Sequence, residues 1–97
     1  MDVMLIRRRM KPESVAQAEA AVADVIRQLD AAQPDGVRYA TTKAEDGETF
    51  VALLAVEGEN PLPELEAYRR LLENLPIWAA EEAAVEKLTV VGSYRLF

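Results

Sequence analysis

Three side chains of this chain carry groups that could contact a small ligand, namely Trp78, Tyr68 and Asn60. An indole ring can stack on a flat ligand, a phenol can hydrogen-bond an oxygen atom, and an amide can polarise one. Each also has a structural interpretation: Trp78 can seal a helix against a sheet, Tyr68 falls in an apolar helical stripe, and Asn60 can cap a helix. A cavity between the second helix and the sheet, a few hundred cubic ångströms in volume with Trp78 and Tyr68 on its wall, would favour chemistry.

Three further side chains could bind the same ligand. Tyr39 and Tyr94 fall on predicted strands and could line the same space, while Arg9 could polarise an oxygen atom. Arg9 belongs to the run Arg7-Arg8-Arg9, whose members alternate on a strand, with Arg8 on one face and the other two on the opposite face. The alternative for these arginines is ion pairing with the many acidic residues, since charges near a core are normally paired.

The absence of histidine and cysteine excludes several kinds of chemistry. Ser-His and Cys-His nucleophiles and thiolate metal sites cannot be built. The acidic residues lack the Asp-x-Asp spacing of calcium loops, so we predict no metal site and no cofactor. Catalysis would need a perturbed Asp, Glu, Lys or Tyr, or a substrate that supplies much of its own reactivity.

Length and charge narrow the class of protein. Ninety-seven residues predict a single domain over residues 1–97, and 51% hydrophobic with 29% charged residues is typical of a globular chain. The net charge of −6 argues against a nucleic-acid partner. The longest apolar run has seven residues and the Met1 region lacks the layout of a signal peptide, so we predict no membrane span and a cytoplasmic location.

Hydrophobic periodicity predicts six elements. Strands are expected over residues 3–10, 37–43, 49–57 and 87–97, and a first helix from Pro12 to about Ala32. The second helix carries the apolar stripe of Leu65, Tyr68, Leu72 and Leu75. Pro76 should break or sharply kink that helix, leaving a second short helical piece or an irregular lid over 77–85.

The element order predicts an α+β, ferredoxin-like βαββαβ fold, with a four-stranded antiparallel sheet and two helices on one face. The first and third strands should be central, which agrees with their being apolar on both faces. The third strand, Phe50-Val-Ala-Leu-Leu-Ala-Val56, then needs cover on its helix-free face. Because each large apolar side chain buried there contributes roughly 1.5–3 kcal/mol, we predict a homodimer that packs sheet to sheet into an α/β barrel.

The whole pattern resembles the dimeric α/β-barrel superfamily, and within it the antibiotic-biosynthesis-monooxygenase-like proteins. The resemblance spans Val3 to Phe97 and rests on element order, size, the double-sided strands and the closing Val90-Val91-Gly92-Ser93-Tyr94 segment. It implies two ferredoxin-like protomers packed sheet to sheet, each with a pocket between its helices and its sheet.

The resemblance also implies candidate activities. Members of this family include cofactor-independent monooxygenases acting on polycyclic aromatic or quinol-like molecules, which use an Asn, a Trp and a Tyr near the pocket. Asn60, Trp78 and Tyr68 are the candidates for these roles in this chain. The haem-degrading branch uses an axial His, which this chain lacks.

Three function classes follow from these observations. The first is an enzyme, a cofactor-independent oxygenase or an isomerase of an aromatic or polyketide-like substrate, with Trp78 and Tyr68 positioning the rings and Asn60 or Arg9 polarising an oxygen. The second is a non-catalytic protein that binds a small aromatic ligand in the same pocket. The third is a dimeric structural module. Fold alone does not separate them.

Overall fold

The computed structural model describes residues 2–97 as one antiparallel sheet covered by two helices. The strands lie in the order β2-β3-β1-β4, with β1 at Asp2–Arg9, β2 at Val37–Lys43, β3 at Thr49–Val56 and β4 at Ala84–Thr89. Helix α1 spans Val15–Ala32 and helix α2 spans Glu66–Trp78. This is the predicted ferredoxin-like arrangement, with β1 and β3 in the centre.

The register of the central strands decides which side chains meet the helices. Ile6 lies opposite Ala52 and Arg8 opposite Phe50, so these four side chains share one face of the sheet. The helices pack on this face. The opposite face carries Val3, which is almost fully buried, and the other alternate residues of β1 and β3.

The two helices are held to each other as well as to the sheet. Val25 of α1 and Ala67 and Leu71 of α2 form a buried cluster, and Gln28 Oε1 accepts a hydrogen bond of 2.9 Å from the Ala67 backbone N–H. That bond satisfies one of the free donors in the first turn of α2. No helix in the described part of the chain is both long and apolar enough to cross a bilayer.

The predicted break at Pro76 is wrong. Helix α2 continues through Pro76 to Trp78, and the Ala79 backbone N–H donates to the Leu75 carbonyl at 2.8 Å. Proline removes one hydrogen bond at its own position, but here it lies only two residues from the helix end, so little helix remains to be disrupted. No second helical piece follows, because Ala79 pairs with Met10 and β4 begins at Ala84.

The predicted last strand, residues 87–97, is also wrong over most of its length. Strand β4 starts earlier, at Ala84, and ends at Thr89, which pairs with Asp2 at the beginning of the described chain. Beyond Thr89 the segment leaves the sheet, so Leu88, Val90, Tyr94 and Leu96 do not share a strand face. Residues 88–94, Leu96 and Phe97 instead line a hollow with Val3 and Leu53 on the helix-free face.

The central strand β3 has no exposed residue on either face in this structure. Phe50 and Leu54 are buried under the helices, and Ala55 is buried on the opposite face. The segment over 90–97 lies against part of that second face while exposing large apolar side chains of its own, with Val91 100% and Tyr94 82% accessible to solvent. A large apolar surface therefore remains on the helix-free side.

Alanine substitutions at two turn glycines should lower the unfolding free energy to different extents. Gly36 and Gly58 both have positive φ, so alanine at either position should cost about 1–2 kcal/mol of unfolding free energy. At Gly36 a Cβ would also lie 2.8 Å from the Glu57 carbonyl oxygen, whereas at Gly58 nothing lies within 4 Å. We expect Gly36→Ala to destabilise more than Gly58→Ala in urea unfolding. Equal losses would contradict the predicted contact.

Candidate functional site

A cavity of about 100 Å³, smaller than the few hundred cubic ångströms described above, lies between the helix-facing side of the sheet and the two helices. Its floor comes from the three strands β1, β2 and β3, and its roof from α1 and α2. The floor residues are Ile6, Arg8, Met10, Tyr39, Thr41, Phe50 and Ala52. The roof residues are Ala18, Val22, Tyr68, Leu71, Leu72 and Leu75.

The cavity exists because small side chains face each other where larger ones would fill the space. Ala52 and Thr41 lie in neighbouring strands at paired positions, and Ala18 contributes only a methyl group from α1. On either side the packing is dense, with one buried cluster around Phe50 and another around Val25. The helices rest on these two clusters and leave the space between them open.

Four polar side chains line this otherwise apolar cavity: Arg8, Tyr39, Thr41 and Tyr68. The Thr41 hydroxyl donates a hydrogen bond of 2.9 Å to Tyr39 Oη. Because Tyr39 accepts this bond, its own phenolic proton remains for another acceptor. A ligand oxygen placed among these groups would therefore meet donors.

The two phenols are protonated at neutral pH. Burial raises the pKa of Tyr39, partly offset by the hydrogen bond from Thr41. Burial also raises the pKa of Tyr68, and the proximity of Tyr39 raises it further while the charge of Arg8 lowers it. Both hydroxyls can therefore donate hydrogen bonds, but neither is suited to act as a general base near pH 7.

The cavity adjoins a second, wider hollow of about 470 Å³. The two share Arg8, Leu72 and Leu75, and the outer hollow is completed by Pro76 and residues 79–83, which include Glu81 and Glu82. Arg8 therefore lies at the junction between an apolar inner space and a more polar outer one. Ligand access to the phenols from this side would pass Arg8.

Of the predicted catalytic residues, only Tyr68 lines the cavity. Trp78 packs against both buried clusters, so its ring links the two halves of the core and does not lie on the cavity wall. Asn60 lies in the exposed loop before α2, where its Oδ1 accepts a hydrogen bond of 3.0 Å from the Leu62 backbone N–H. This is a local turn contact of the kind an Asn makes at a helix start.

Of the predicted ligand-binding residues, only Tyr39 lines the cavity. Tyr94 lies in the exposed segment on the helix-free face, with the Arg95 guanidinium 5.2 Å from its ring centroid. Arg9 points away from the cavity and forms ion pairs, at 2.6 Å with Glu81 and 3.7 Å with Glu48. The structure thus brings Tyr68 and Tyr39 together and separates them from the other four candidates.

Sequence reasoning missed Arg8 and Thr41 as cavity residues. The alternation of strand β1 already placed Arg8 on the face opposite Arg9, together with Ile6 and Met10. What it lacked was the information that this face meets the helices. Among residues 2–97, no group of three acidic side chains is placed to hold a metal ion.

Comparisons with known proteins support the fold. No family model matches the chain, and no curated protein matches it significantly. A solved structure from Nitrosomonas europaea, provisionally named an antibiotic biosynthesis monooxygenase, superposes with a TM-score of 0.76 at 15% identity, covering 95% of this chain and 100% of that one. Another structure named antibiotic biosynthesis monooxygenase gives 0.75 at 14% identity, with coverages of 95% and 100%.

A third solved structure, Rv0793 from Mycobacterium tuberculosis, has a TM-score of 0.74 at 17% identity, covering 95% of this chain and 96% of that one. The resemblance to antibiotic-biosynthesis-monooxygenase-like structures, predicted from the sequence, is therefore confirmed at the level of the fold. At these identities the likeness carries no residue roles.

The raised pKa values predict how stability depends on alkaline pH. The unfolded chain would release the two phenolic protons near pH 10, before the folded protein does, so stability should fall as pH rises through about 10. The double variant Tyr39→Phe/Tyr68→Phe should lose less unfolding free energy between pH 9 and pH 11 than the wild type. Urea unfolding measures this, with the exposed Tyr94→Phe as control. An unchanged loss in the double variant would contradict the assignment.

Proposed function

We propose that this chain is a cofactor-independent monooxygenase that acts on a small aromatic, polyketide-like or quinol-like molecule. The observation that carries the proposal is the apolar cavity in which two protonated phenols, Tyr39 and Tyr68, face the same space. The names of structurally similar proteins agree with it. Such a site can orient a flat, electron-rich molecule and exclude water while the molecule itself reacts with oxygen.

The oxidation of an anthrone shows how atoms and electrons balance in the proposed reaction. The substrate ionises to an enolate, and its ring carbon bonds to O₂ to form a peroxide. Loss of water then converts this carbon to a carbonyl. The carbon loses both hydrogens and four electrons, one oxygen atom becomes the new carbonyl oxygen, and the other leaves as water. No further reductant is needed.

Within this reaction the phenols have a defined role. Tyr68 and Tyr39 hydrogen-bond the enolate oxygen, because both remain protonated and donate. Trp78 supports the cavity indirectly, because it packs against the cluster of Met10, Ala18 and Phe50, which line the cavity. Asn60 serves as a turn residue before α2.

A non-catalytic ligand-binding protein is the second candidate. The specific observation in its favour is that, within residues 2–97, the cavity lining includes no carboxylate, so this lining offers no group suited to remove a proton near pH 7. A binding protein would need the same phenols to recognise an oxygen atom but no reaction step. Turnover separates the two candidates.

Oxygen consumption tests the enzyme directly. With a panel of anthrones and hydroquinones, we expect oxygen uptake that exceeds the uncatalysed rate. Removing one hydrogen-bond donor to a developing oxyanion typically costs 10²–10³-fold in kcat, so Tyr68→Phe should slow uptake by roughly 10- to 100-fold at this partly open site. Tyr94→Phe, which lies outside the cavity, should behave as wild type. Ligand binding without oxygen uptake across the panel would favour the binding protein.

We also propose that the protein is a cytoplasmic homodimer formed through the helix-free face of the sheet. Support comes from the large apolar side chains that the 90–97 segment exposes on the helix-free side of the sheet, namely Val91, Tyr94 and Leu96. Burying several such side chains would contribute roughly 1.5–3 kcal/mol each. A dimer with a purely structural role would use the same surface. The proposed interface therefore does not depend on whether the protein is an oxygenase.

Light scattering tests the dimer at micromolar concentration. Val91 is fully exposed in the single chain, so Val91→Asp should leave the fold unchanged but weaken dimerisation at least tenfold. Ala23→Asp, on the exposed side of α1, adds the same charge away from the proposed interface and should leave the dimer intact. A monomeric wild type would overturn the proposal.

A further inference from the structure

We propose that Arg8 forms an anion-binding site at the junction of the two hollows, and that the ligand is a flat, largely apolar molecule carrying one anionic oxygen group. The group would be a carboxylate or a phenolate-like oxygen. The proposal deepens the proposed function, because it rests on the same cavity and names the ligand class it would accept.

The position of Arg8 is the first argument. Its place in β1, paired with Phe50 of β3, sets it on the helix-facing side of the sheet. It lines both the inner cavity and the outer hollow, and it is partly buried. A guanidinium there presents several N–H donors to any oxygen that enters from the outer hollow.

The charge around Arg8 is the second argument. Among residues 2–97, no carboxylate oxygen lies within 4 Å of its guanidinium, and its side chain makes no hydrogen bond to another described residue. This occurs in a chain with 17 acidic and 11 basic residues. The neighbouring Arg9, by contrast, is paired with Glu81 and Glu48. Because charges that are removed from water are normally paired, an anion that enters the hollow and excludes water from Arg8 would supply the missing partner.

The size of the two hollows is the third argument. A cavity of ~150 Å³ holds one benzene molecule. The inner cavity, at about 100 Å³, is smaller, while the outer hollow measures about 470 Å³. A ligand that reaches Tyr68 must therefore extend outward past Arg8. Its anionic oxygen would lie near Arg8, with apolar surface against Leu72 and Leu75 on the roof.

Calorimetric titration with matched probes tests the site. The probes are 1-naphthoate, its neutral analogue 1-naphthamide, and 2,4-dinitro-1-naphtholate, a phenolate at neutral pH. We expect at least one anion to bind the wild type tenfold or more tightly than the amide, since charge-assisted hydrogen bonds are roughly twice as strong as neutral ones. Whichever anion binds more tightly identifies the oxygen group, carboxylate or phenolate.

Variants assign the effect to Arg8. Arg8→Gln should remove the preference for the anion while leaving amide binding within about twofold, and Arg8→Lys should restore part of the preference. Arg27→Gln removes the same charge from an exposed position on α1, where Arg27 pairs with Asp24, and should change nothing. Circular dichroism confirms that each variant is folded.

Several results would overturn the inference. The first is that the wild type binds the amide and the anions equally well, and the second is that it binds neither anion. The third is that Arg8→Gln weakens the binding of amide and anion by the same factor, which would indicate a structural role for Arg8. Oxygen uptake distinguishes this failure from failure of the proposed function. Anion binding that depends on Arg8 without any turnover would overturn only the oxygenase, whereas turnover unaffected by Arg8→Gln would overturn only the anion site.

Discussion

The way two helices cover one face of the sheet governs the rest of the structure. At one end the helices are joined by the Gln28–Ala67 hydrogen bond and the cluster beneath it. Towards the other end Trp78 links that cluster to a second one on the sheet. Where these clusters border the cavity, Ala18 and Ala52 are too small to fill the space. The cavity therefore follows from the small residues that lie beside two buried clusters.

Periodicity predicted the parts of the fold that local pattern determines. Strand β2 begins and ends at the predicted residues, Val37 and Lys43, and β3 differs by a single residue. The errors arose where an element depends on a distant partner. The segment after Thr89 keeps an apolar pattern, but a strand needs a neighbour, and the described pairing of β4 with β1 ends where Thr89 lies opposite Asp2. Similarly, the effect of Pro76 depends on how near the helix end lies, which sequence alone does not determine.

The candidate site was predictable only in part for a related reason. The stripe of α2 pointed to Tyr68, since a helix has one apolar face and that face meets the sheet. Strand β1 gave no such guidance, because it is apolar on both faces and either could have met the helices. Sequence alone therefore offered no reason to place Arg8, rather than Arg9, on the side of the strand that meets the helices. The structure resolves it through the pairing of Arg8 with Phe50, a contact between residues far apart in sequence.

The electrostatics of the cavity limit the chemistry that it can support. Arg8 is a cation, and Tyr39 and Tyr68 are protonated phenols, so the ionisable groups of the lining stabilise negative charge on oxygen. None of them readily accepts a proton near pH 7. A ligand must therefore ionise in solution or in the outer hollow, where Glu81 and Glu82 lie. The inner cavity then favours the anion over its neutral parent. This lining can therefore contribute in two ways: it selects the ionised form of the ligand, and it excludes water from it.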